Sequence, residues 1–336
     1  MKAVSARNGR IFVTEMEEPE LEPGHVLIRT EYSAISPGTE MSMVLGSGDR
    51  TVVLGYSAVG IVERTGEGVV GLEPGSRVAC YGAPYVRHAE RLAVPSNLTA
   101  KVPDHVDPRE AACSGLGAIA IHALRTAGLQ FGESVVVVGL GILGNLIAQI
   151  ANAAAYRTAG VDLKKDRAAR LRELGVPCVY TDPAVLERDL ADITGGAGAD
   201  AVLLCASGSG ETLINRALEW IRDRGKIVIV GDLTLSFSRA VMFAKEAQLL
   251  ISRAGGPGRY DAGYERENRD YPIGYVRWTE GRNVAEFVRL LAEKRIRVAP
   301  LITHEVPFER APEVYELYRR ESSGVIGALL CYGDGA

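Results

Sequence analysis

The N-terminal third of the chain alternates apolar and polar side chains in short runs. Clear examples are HVLIRTEYSAI, SRVACY and ERLAV, and Pro and Gly turns separate the runs. Alternation places every second side chain on one face of a half-buried strand, so the part from Lys2 to about Pro103 is predicted to be mostly β. DPREAACSGLGAIAIHALRTAG has helical spacing and predicts one helix, with Asp107 as N-cap, Pro108 at its first position and Gly128 at its stop.

Strand-like and helical runs then alternate from about Ile119 to Gly255. The strand-like runs are SVVVVGL, RTAGVDL, PCVYT, ADAVLLCAS, KIVIVG and QLLISRA, and the helical runs between them are GNLIAQIANAAA, KDRAARLRELG, PAVLERDLADITG and ETLINRALEWIRDRG. Apolar strands joined by helices are typical of a parallel sheet covered on both faces, so we predict a doubly wound α/β domain. The apolar stretch from Val135 to Ala155 is interpreted as strand, tight turn and helix rather than a membrane span, because three amide side chains interrupt it.

The C-terminal part of the chain is less regular. GPGRYDAGYERENRDYPIGYVRWTEGR has no clear period, whereas NVAEFVRLLAEKR and APEVYELYRR have helical spacing and GALLCY is typical of a last strand. The fold class predicted for the whole chain is therefore α/β, with a β-rich unit and a doubly wound parallel sheet.

Composition narrows the classes of function. The chain has 336 residues, more than one hydrophobic core usually fills, and 47% of them are hydrophobic and 24% charged. The formal net charge is -4 and no basic patch is present, which argues against nucleic acid or an anionic membrane as partner and favours a small-molecule substrate. Five scattered cysteines and an N-terminus without a continuous apolar segment favour reduced, buried thiols in a cytoplasmic protein.

The turn VVVVGLGILGN carries the pattern G-x-G-x-x-G between a predicted strand and a predicted helix. In this pattern Gly139 permits the tight turn, Gly141 lets the backbone approach a pyrophosphate, and Gly144 lets the helix pack closely on the strand. The helix N-terminus, with Ile142 and Leu143 in its first turn, attracts phosphate charge. We therefore predict a dinucleotide site at this turn.

An acidic residue ends the second predicted strand of this domain. The carboxylate of Asp162 is placed to accept hydrogen bonds from the adenosine ribose hydroxyls and to repel a 2'-phosphate. This predicts NAD(H) over NADP(H), although Lys164, Lys165 and Arg167 each offer a cation for a phosphate. The predicted cofactor site also includes Arg167 itself, and Ala206 and Gly231 at the ends of ADAVLLCAS and KIVIVG.

EPGHVLIRTEYSAISPGTEM, LGYSAVGIV, PGSRVACYG, HAERLAVPSNLTAKVPD and GESVVVVGLGILG together resemble the medium-chain dehydrogenase/reductase superfamily. YSAISPGTE, GYSAVG and DYPIGYVRW further resemble a zinc-less branch related to bacteriochlorophyllide-type dehydrogenases and to the dehydrogenase half of some bi-domain oxidoreductases. The resemblance implies a GroES-like catalytic domain at residues 1–118, a Rossmann NAD-binding domain at 119–255 and a return to the catalytic domain at 256–336. It also implies a homodimer.

The sequence differs from the zinc members of this superfamily at the positions that bind the catalytic metal. Pro37 stands where zinc members carry a Cys ligand, and Tyr56 and Ser57 stand where they carry His and Glu. The four-Cys lobe that binds a structural zinc, expected after RVACYG, is also absent from the sequence. Catalytic zinc usually has three protein ligands, so we predict no zinc.

Another group must then hydrogen-bond the oxygen that gains charge during hydride transfer. Tyr56 occupies the ligand position that the resemblance places next to the nicotinamide. Its phenol suits ketone reduction, whereas oxidation requires a nearby cation that lowers its pKa. The resemblance also places Thr39 and Glu40 beside the nicotinamide. Ser36 offers a hydroxyl to the substrate oxygen, and His88 offers a proton relay.

These candidates also have structural interpretations, in which Tyr56 simply packs and Ser36, Thr39 and Glu40 form a capped turn. His122 also offers a proton relay, although its place in the apolar helix GAIAIHAL favours a structural histidine, and for His88, in a β-like run, both interpretations stay open. The segment DYPIGYVRW either packs as a loop at a domain interface or offers donors to a hydroxyl-rich substrate from Tyr271, Tyr275, Arg277 and Trp278.

The resulting prediction is a zinc-independent, NAD(H)-dependent oxidoreductase that interconverts a secondary alcohol and a ketone. The expected substrate is polyhydroxylated or cyclic, such as a sugar, a cyclitol or a biosynthetic intermediate. Two alternatives stay open: a reductase of activated C=C bonds from the same superfamily, and a dinucleotide-binding subunit without catalysis.

Overall fold

The chain forms two compact units in a computed structural model that describes residues 1–320 and 324–333. The outer unit consists of Met1–Ala118 and Gly255–Ala336, and the central unit consists of Ile119–Ala254. The sequence analysis placed the two domain boundaries after residues 118 and 255.

The helices and strands follow in chain order. The N-terminal part contains β1 (Lys2–Arg7), β2 (Arg10–Glu15), β3 (His25–Ala34), α1 (Pro37–Leu45), β4 (Val52–Val53), β5 (Ser57–Thr65), β6 (Arg77–Tyr81), β7 (Arg91–Pro95), β8 (Thr99–Lys101), α2 (Pro108–Ala111) and α3 (Ser114–Ala127). The middle contains β9 (Ser134–Val138), α4 (Ile142–Ala153), β10 (Arg157–Val161), α5 (Lys165–Glu173), β11 (Cys178–Tyr180), α6 (Pro183–Thr194), β12 (Ala199–Leu204), β13 (Gly208–Ser209), α7 (Glu211–Trp220), β14 (Ile221–Ile229), β15 (Leu233–Thr234), α8 (Arg239–Ala244) and β16 (Gln248–Ile251). The C-terminal part contains α9 (Ala262–Glu265), α10 (Glu280–Ala292), β17 (Ile302–Pro307), α11 (Ala311–Arg319) and β18 (Gly327–Cys331).

The outer unit is built on antiparallel strands. In its described residues the larger sheet has the order β17-β18-β3-β5-β6-β8, with β7 paired to β3, and a smaller sheet has the order β2-β1-β4. Alternate apolar residues of these strands, such as Val26, Ile28, Ala58 and Val78, are fully buried and form a core. The pairing of β3 with β5 places Ser33 opposite Ala58, which brings the end of β3 next to the beginning of β5.

The central unit is the predicted doubly wound domain. Its sheet has the order β11-β10-β9-β12-β14-β16, and every neighbouring pair is parallel. The strands are apolar because helices cover both faces. Strand order reverses between β9 and β12, and in such sheets the carboxyl ends at that point form the ligand crevice. The predicted α/β fold class is confirmed.

Two predicted helix boundaries were wrong. The helix expected from Asp107 to Gly128 is interrupted between α2 and α3, because Ser57 Oγ donates to the carbonyl of Ala112 and accepts from the N–H of Gly115. Those two groups would otherwise bond along the helix.

The helix predicted over ETLINRALEWIRDRG ends at Trp220, and Ile221 already belongs to β14. The strand begins early because Ile221 pairs with Ala199 of β12 and Arg222 forms an ion pair with Asp200 at 2.6 Å. These are contacts of the tertiary structure, which local spacing cannot encode.

The five cysteines are all free, but only Cys80 and Cys113 are fully buried. Cys178, Cys205 and Cys331 are partly exposed, so the expectation of buried thiols was wrong for these three. Residues 135–155 form β9, a turn and α4 as expected. None of the helices in the described ranges is long and apolar enough to cross a membrane.

Candidate active site

The Gly-rich turn lies between β9 and α4, at the carboxyl end of the parallel sheet. Gly139 has a φ of +88°, in the left-handed region that favours glycine. An added Cβ on Gly144 would lie 1.8 Å from the carbonyl oxygen of Gly139, so any side chain there would push helix and turn apart. Ile142 and Leu143 begin α4 directly after Gly141. Their N–H groups lie in the first helical turn and therefore have no hydrogen-bond acceptor within the helix.

Asp162 holds this turn in place. Its carboxylate accepts hydrogen bonds from the N–H groups of Leu140 at 2.7 Å and Lys164 at 2.8 Å. Arg167 lies 3.6 Å from the same carboxylate, and its guanidinium is 3.7 Å from the point where a Cβ of Gly141 would be. Each carboxylate oxygen can accept more than one hydrogen bond, which leaves acceptor capacity for ribose hydroxyls.

Ala206 and Gly231 complete the carboxyl edge of the sheet. A Cβ on Gly231 would lie 1.9 Å from the carbonyl oxygen of Ala206, and one on Gly139 would lie 3.2 Å from the N–H nitrogen of Ala206. The structure therefore brings together the predicted cofactor residues that follow four strands, β9, β10, β12 and β14. Backbone without side chains, a helix N-terminus and an acid at the end of β10 form a cradle that fits a dinucleotide.

A second polar cluster lies in the outer unit, around Tyr56 and Ser36. Ser36 is the N-cap of α1, yet its side chain makes no cap hydrogen bond. Its Oγ instead accepts a hydrogen bond from the phenol of Tyr56 at 2.5 Å. Serine at an N-cap usually accepts a hydrogen bond from the backbone of the first turn. Because Ser36 makes no such bond, its hydroxyl is available for other hydrogen bonds. Thr39, which is exposed, also hydrogen-bonds the phenol.

The buried side chain of Glu40 holds Ser36, and so the Tyr56 and Ser36 pair, in place. Its side chain is fully buried, and Oε1 accepts a hydrogen bond from the N–H of Ser36 at 2.7 Å. Oε2 lies 2.9 Å from Nε2 of His88 and accepts a hydrogen bond from the phenol of Tyr315. Three donors thus converge on one buried carboxylate, which compensates for its removal from water.

His88 extends the network on its other side. Its Nδ1 lies 2.7 Å from Ser33 Oγ, which lies 2.9 Å from the phenol oxygen of Tyr332. The structure therefore joins all five predicted catalytic residues in one cluster and adds Ser33, Tyr315 and Tyr332. Sequence reasoning missed these three because they are ordinary residues in apolar runs, and the tyrosines lie at the far end of the chain.

The environment of Tyr56 keeps its phenol protonated. Burial is the main cause that raises its pKa well above the ordinary value for tyrosine, the Ser36 hydrogen bond lowers it, and the charge of Glu40 raises it again. Burial also raises the pKa of Tyr315 and Tyr332. The phenols of Tyr56, Tyr315 and Tyr332 are therefore protonated and can donate hydrogen bonds at neutral pH.

The residues at the zinc-ligand positions of the family do not fit a metal. The side chain of Pro37, at the first ligand position, has no donor atom, and the phenol of Tyr56, at the second, donates to Ser36 Oγ. Ser57, at the position of the acidic neighbour, bridges α2 and α3. No group of three or more His, Cys, Asp and Glu residues within 1–320 and 324–333 could hold a metal ion.

The remaining candidates lie outside the two clusters. His122 is in α3, and burial lowers its pKa, assisted by the charges of Arg125 and Arg253. In DYPIGYVRW the guanidinium of Arg277 lies 3.8 Å from the ring centre of Trp278, and Tyr275 is 90% exposed. Tyr271 stacks on Tyr264 and donates a hydrogen bond to Asp261.

Comparison with known proteins gives matches along the chain. The model of the alcohol dehydrogenase GroES-like domain matches residues 22–104, and that of zinc-binding dehydrogenase matches residues 139–266. Together these matches cover more than half of the chain.

Individual proteins match at low identity over most of their length. The chain is 25% identical over 300 residues to sorbitol dehydrogenase of Homo sapiens, which is 81% of this chain and 78% of that protein. It is 26% identical over 322 residues to sorbitol dehydrogenase 1 of Saccharomyces cerevisiae, 84% of this chain and 82% of that protein. An alcohol dehydrogenase structure from Thermus sp. ATN1 superposes with a TM-score of 0.78 at 24% identity and covers 98% of this chain and 99% of that one.

Proposed function

Because this chain belongs to the medium-chain dehydrogenase/reductase superfamily, we propose that it interconverts a secondary alcohol and a ketone with NAD(H) and without zinc. The proposed substrate is polyhydroxylated or cyclic, such as a sugar, a cyclitol or a biosynthetic intermediate, since two of its relatives are sorbitol dehydrogenases. The observation that carries the proposal is the Tyr56 and Ser36 hydroxyl pair. Tyr56 stands at the sequence position of a zinc ligand in the zinc members of the family, and Glu40 accepts a hydrogen bond from the N–H of Ser36.

The two hydroxyls supply what the metal supplies elsewhere in the family. Bound NADH provides the hydride for the carbonyl carbon. Ser36 Oγ accepts from Tyr56, so its own hydrogen is available to the substrate oxygen as negative charge develops there. The oxygen takes this hydrogen, Ser36 takes the phenol hydrogen of Tyr56, and the phenolate regains a proton from water. The high pKa of Tyr56 favours ketone reduction at neutral pH over alcohol oxidation, which needs a base.

Substitution of the phenol tests the role of Tyr56. We expect Tyr56→Phe to lower kcat for ketone reduction by roughly 100-fold or more, the scale of general acid catalysis, with the Kd for NADH unchanged. The matched control is Tyr156→Phe, which removes a phenol bonded to the carbonyl of Leu129 in the central unit. Equal kcat in Tyr56→Phe and wild type would contradict the proposal. Turnover of enones, but not of alcohols or ketones, would replace it with C=C reduction.

The cofactor preference rests on Asp162. A carboxylate at the end of β10 favours ribose hydroxyls over a 2'-phosphate, although Arg167 stands 3.6 Å away. We expect fluorescence titration to give a Kd for NADH at least about 10-fold below that for NADPH, on the scale of one lost charge-assisted hydrogen bond. Tighter binding of NADPH would refute the preference and assign Arg167 to the phosphate.

Zinc independence has its own test. Protein washed with a chelator is expected to keep its turnover and to contain much less than one zinc per chain by elemental analysis. Stoichiometric zinc that is lost together with activity would overturn this part of the proposal.

The proposed assembly is a homodimer formed through the edge of the central sheet. β16 lies at that edge, where unpaired N–H and C=O groups are available to another strand. Ile251 on β16 is 65% exposed and Phe243 of α8 is 73% exposed. Free cysteines support the expected cytoplasmic location.

A further inference from the structure

The segment from Gly255 to Glu280 places two carboxyl groups beside one arginine. Glu280, in the first turn of α10, is fully buried, and neither of its carboxyl oxygens has a hydrogen-bond partner among the described residues. Glu265 of α9 is also buried. It accepts hydrogen bonds from the guanidinium of Arg259 and from the N–H of Tyr260 at 3.1 Å.

One guanidinium can neutralise only one of the two carboxylates. Glu265 has that partner and a backbone N–H, whereas Glu280 has neither, so Glu280 is the carboxyl group that retains its proton. Burial raises the pKa of Glu280 to about 9, the charge of Glu265 adds to this and Arg259 opposes it.

Tyr81 connects this pair to Tyr56. The phenol oxygen of Tyr81 accepts a hydrogen bond from the N–H of Gly255 at 3.0 Å. A Cβ on Gly255 would lie 2.6 Å from the Tyr81 ring and 3.0 Å from Cβ of Glu280, so both side chains pack against the same backbone. The rings of Tyr81 and Tyr56 meet edge to face at 5.8 Å.

Arg259 also binds the backbone that follows Tyr81 at the end of β6. Its guanidinium donates to the carbonyl of Ala83 at 2.7 Å, and the N–H of Gly82 donates to the carbonyl of Tyr56 at 2.9 Å. The end of β6 is therefore bound to Arg259 on one side and to Tyr56 on the other.

We propose that Glu280, buried beside the Glu265 and Arg259 ion pair, is a positioning residue that keeps the Tyr81 side of the Tyr56 site uncharged, and that its ionisation switches ketone reduction off. The inference rests on the proposed function of Tyr56. An extra anion in a buried site opposes the negative charge that develops on the substrate oxygen, and it draws the Tyr81 phenol out of its place against Gly255. The titratable groups that face Glu280 are Glu265, Arg259, Tyr81, Tyr264 and Tyr271.

The test is the pH profile of kcat/KM for ketone reduction with NADH, from pH 6 to pH 10.5. Wild type is expected to lose at least about 10-fold between pH 7 and pH 10.5, with the slope of a single proton. Glu280→Gln retains the shape of the neutral acid and is expected to change less than about twofold over this range. The matched control is Glu293→Gln, at the exposed end of the same helix, which is expected to follow wild type.

The outcomes separate this inference from the proposed function. A wild type that turns over ketones without any alkaline loss overturns the inference by itself and needs no variant. The same alkaline loss in wild type and Glu280→Gln also overturns it, while the role of Tyr56 stands. No turnover of alcohols or ketones at any pH overturns the proposed function, and the inference with it.

Discussion

We expect Glu280 to lower the free energy of unfolding at neutral pH, and Glu280→Gln to remove this cost. The carboxyl group has an ordinary pKa of 4.5 and a pKa of about 9 in the folded protein, chiefly because of burial. Between these values the folded state binds a proton that the unfolded state has lost, so the free energy of unfolding falls as pH rises.

The size of the effect follows from the two pKa values. Each pH unit between them costs about 1.4 kcal/mol for one proton, so Glu280 costs the fold about 3 kcal/mol at pH 7 relative to pH 4.5. The side chain of glutamine does not ionise in this pH range, so it has no such pH-dependent cost. Relative to wild type, Glu280→Gln should therefore gain stability steadily from pH 5 to pH 9, while the contributions of all other groups cancel in the difference.

Urea unfolding followed by tryptophan fluorescence at several pH values measures this difference. The expected slope of the variant-minus-wild-type free energy is close to +1.4 kcal/mol per pH unit, about one proton. Glu293→Gln, whose side chain is 48% exposed in the wild type, should give a difference that does not change with pH. A flat difference for Glu280→Gln would show that Glu280 is ionised in the folded protein, and the reasoning would be refuted.

Three further substitutions test the rest of the structure. Gly144→Ala places a Cβ 1.8 Å from the carbonyl oxygen of Gly139, so titration should show NADH binding weakened by at least about 10-fold; unchanged binding would contradict the cradle. Glu40→Gln removes the buried charge on which Ser36, His88 and Tyr315 converge, and urea unfolding should show a loss of about 2–4 kcal/mol at pH 7, whereas a loss below 1 kcal/mol would mean that the network is dispensable. Ile251→Lys places a charge on the exposed edge of β16, and light scattering should detect monomers of the variant and the proposed dimers of wild type; a variant that stays dimeric would place the interface elsewhere.

The sequence alone determined the elements whose causes are local. Apolar strands separated by helices predicted the parallel sheet, and the glycines of VVVVGLGILGN predicted the turn in which Gly139 has a positive φ and Gly144 touches backbone. Period and backbone freedom are properties of neighbouring residues, so both can be found without tertiary contacts. Tyr56, Ser36 and Glu40 became candidates through motifs that resemble those of a known family, YSAISPGTE and GYSAVG, and not through local spacing.

Only the tertiary structure decided which polar groups meet. Tyr315 bonds Glu40 across 275 positions of sequence, and no spacing or composition points to that partner. The interruption between α2 and α3 comes from Ser57 on a distant strand, and the raised pKa of Glu280 comes from burial and then from the charge of Glu265. The physical reason is common to all three: a buried polar group requires a partner or a changed charge, and the partner is chosen by strand order and helix packing rather than by nearby sequence.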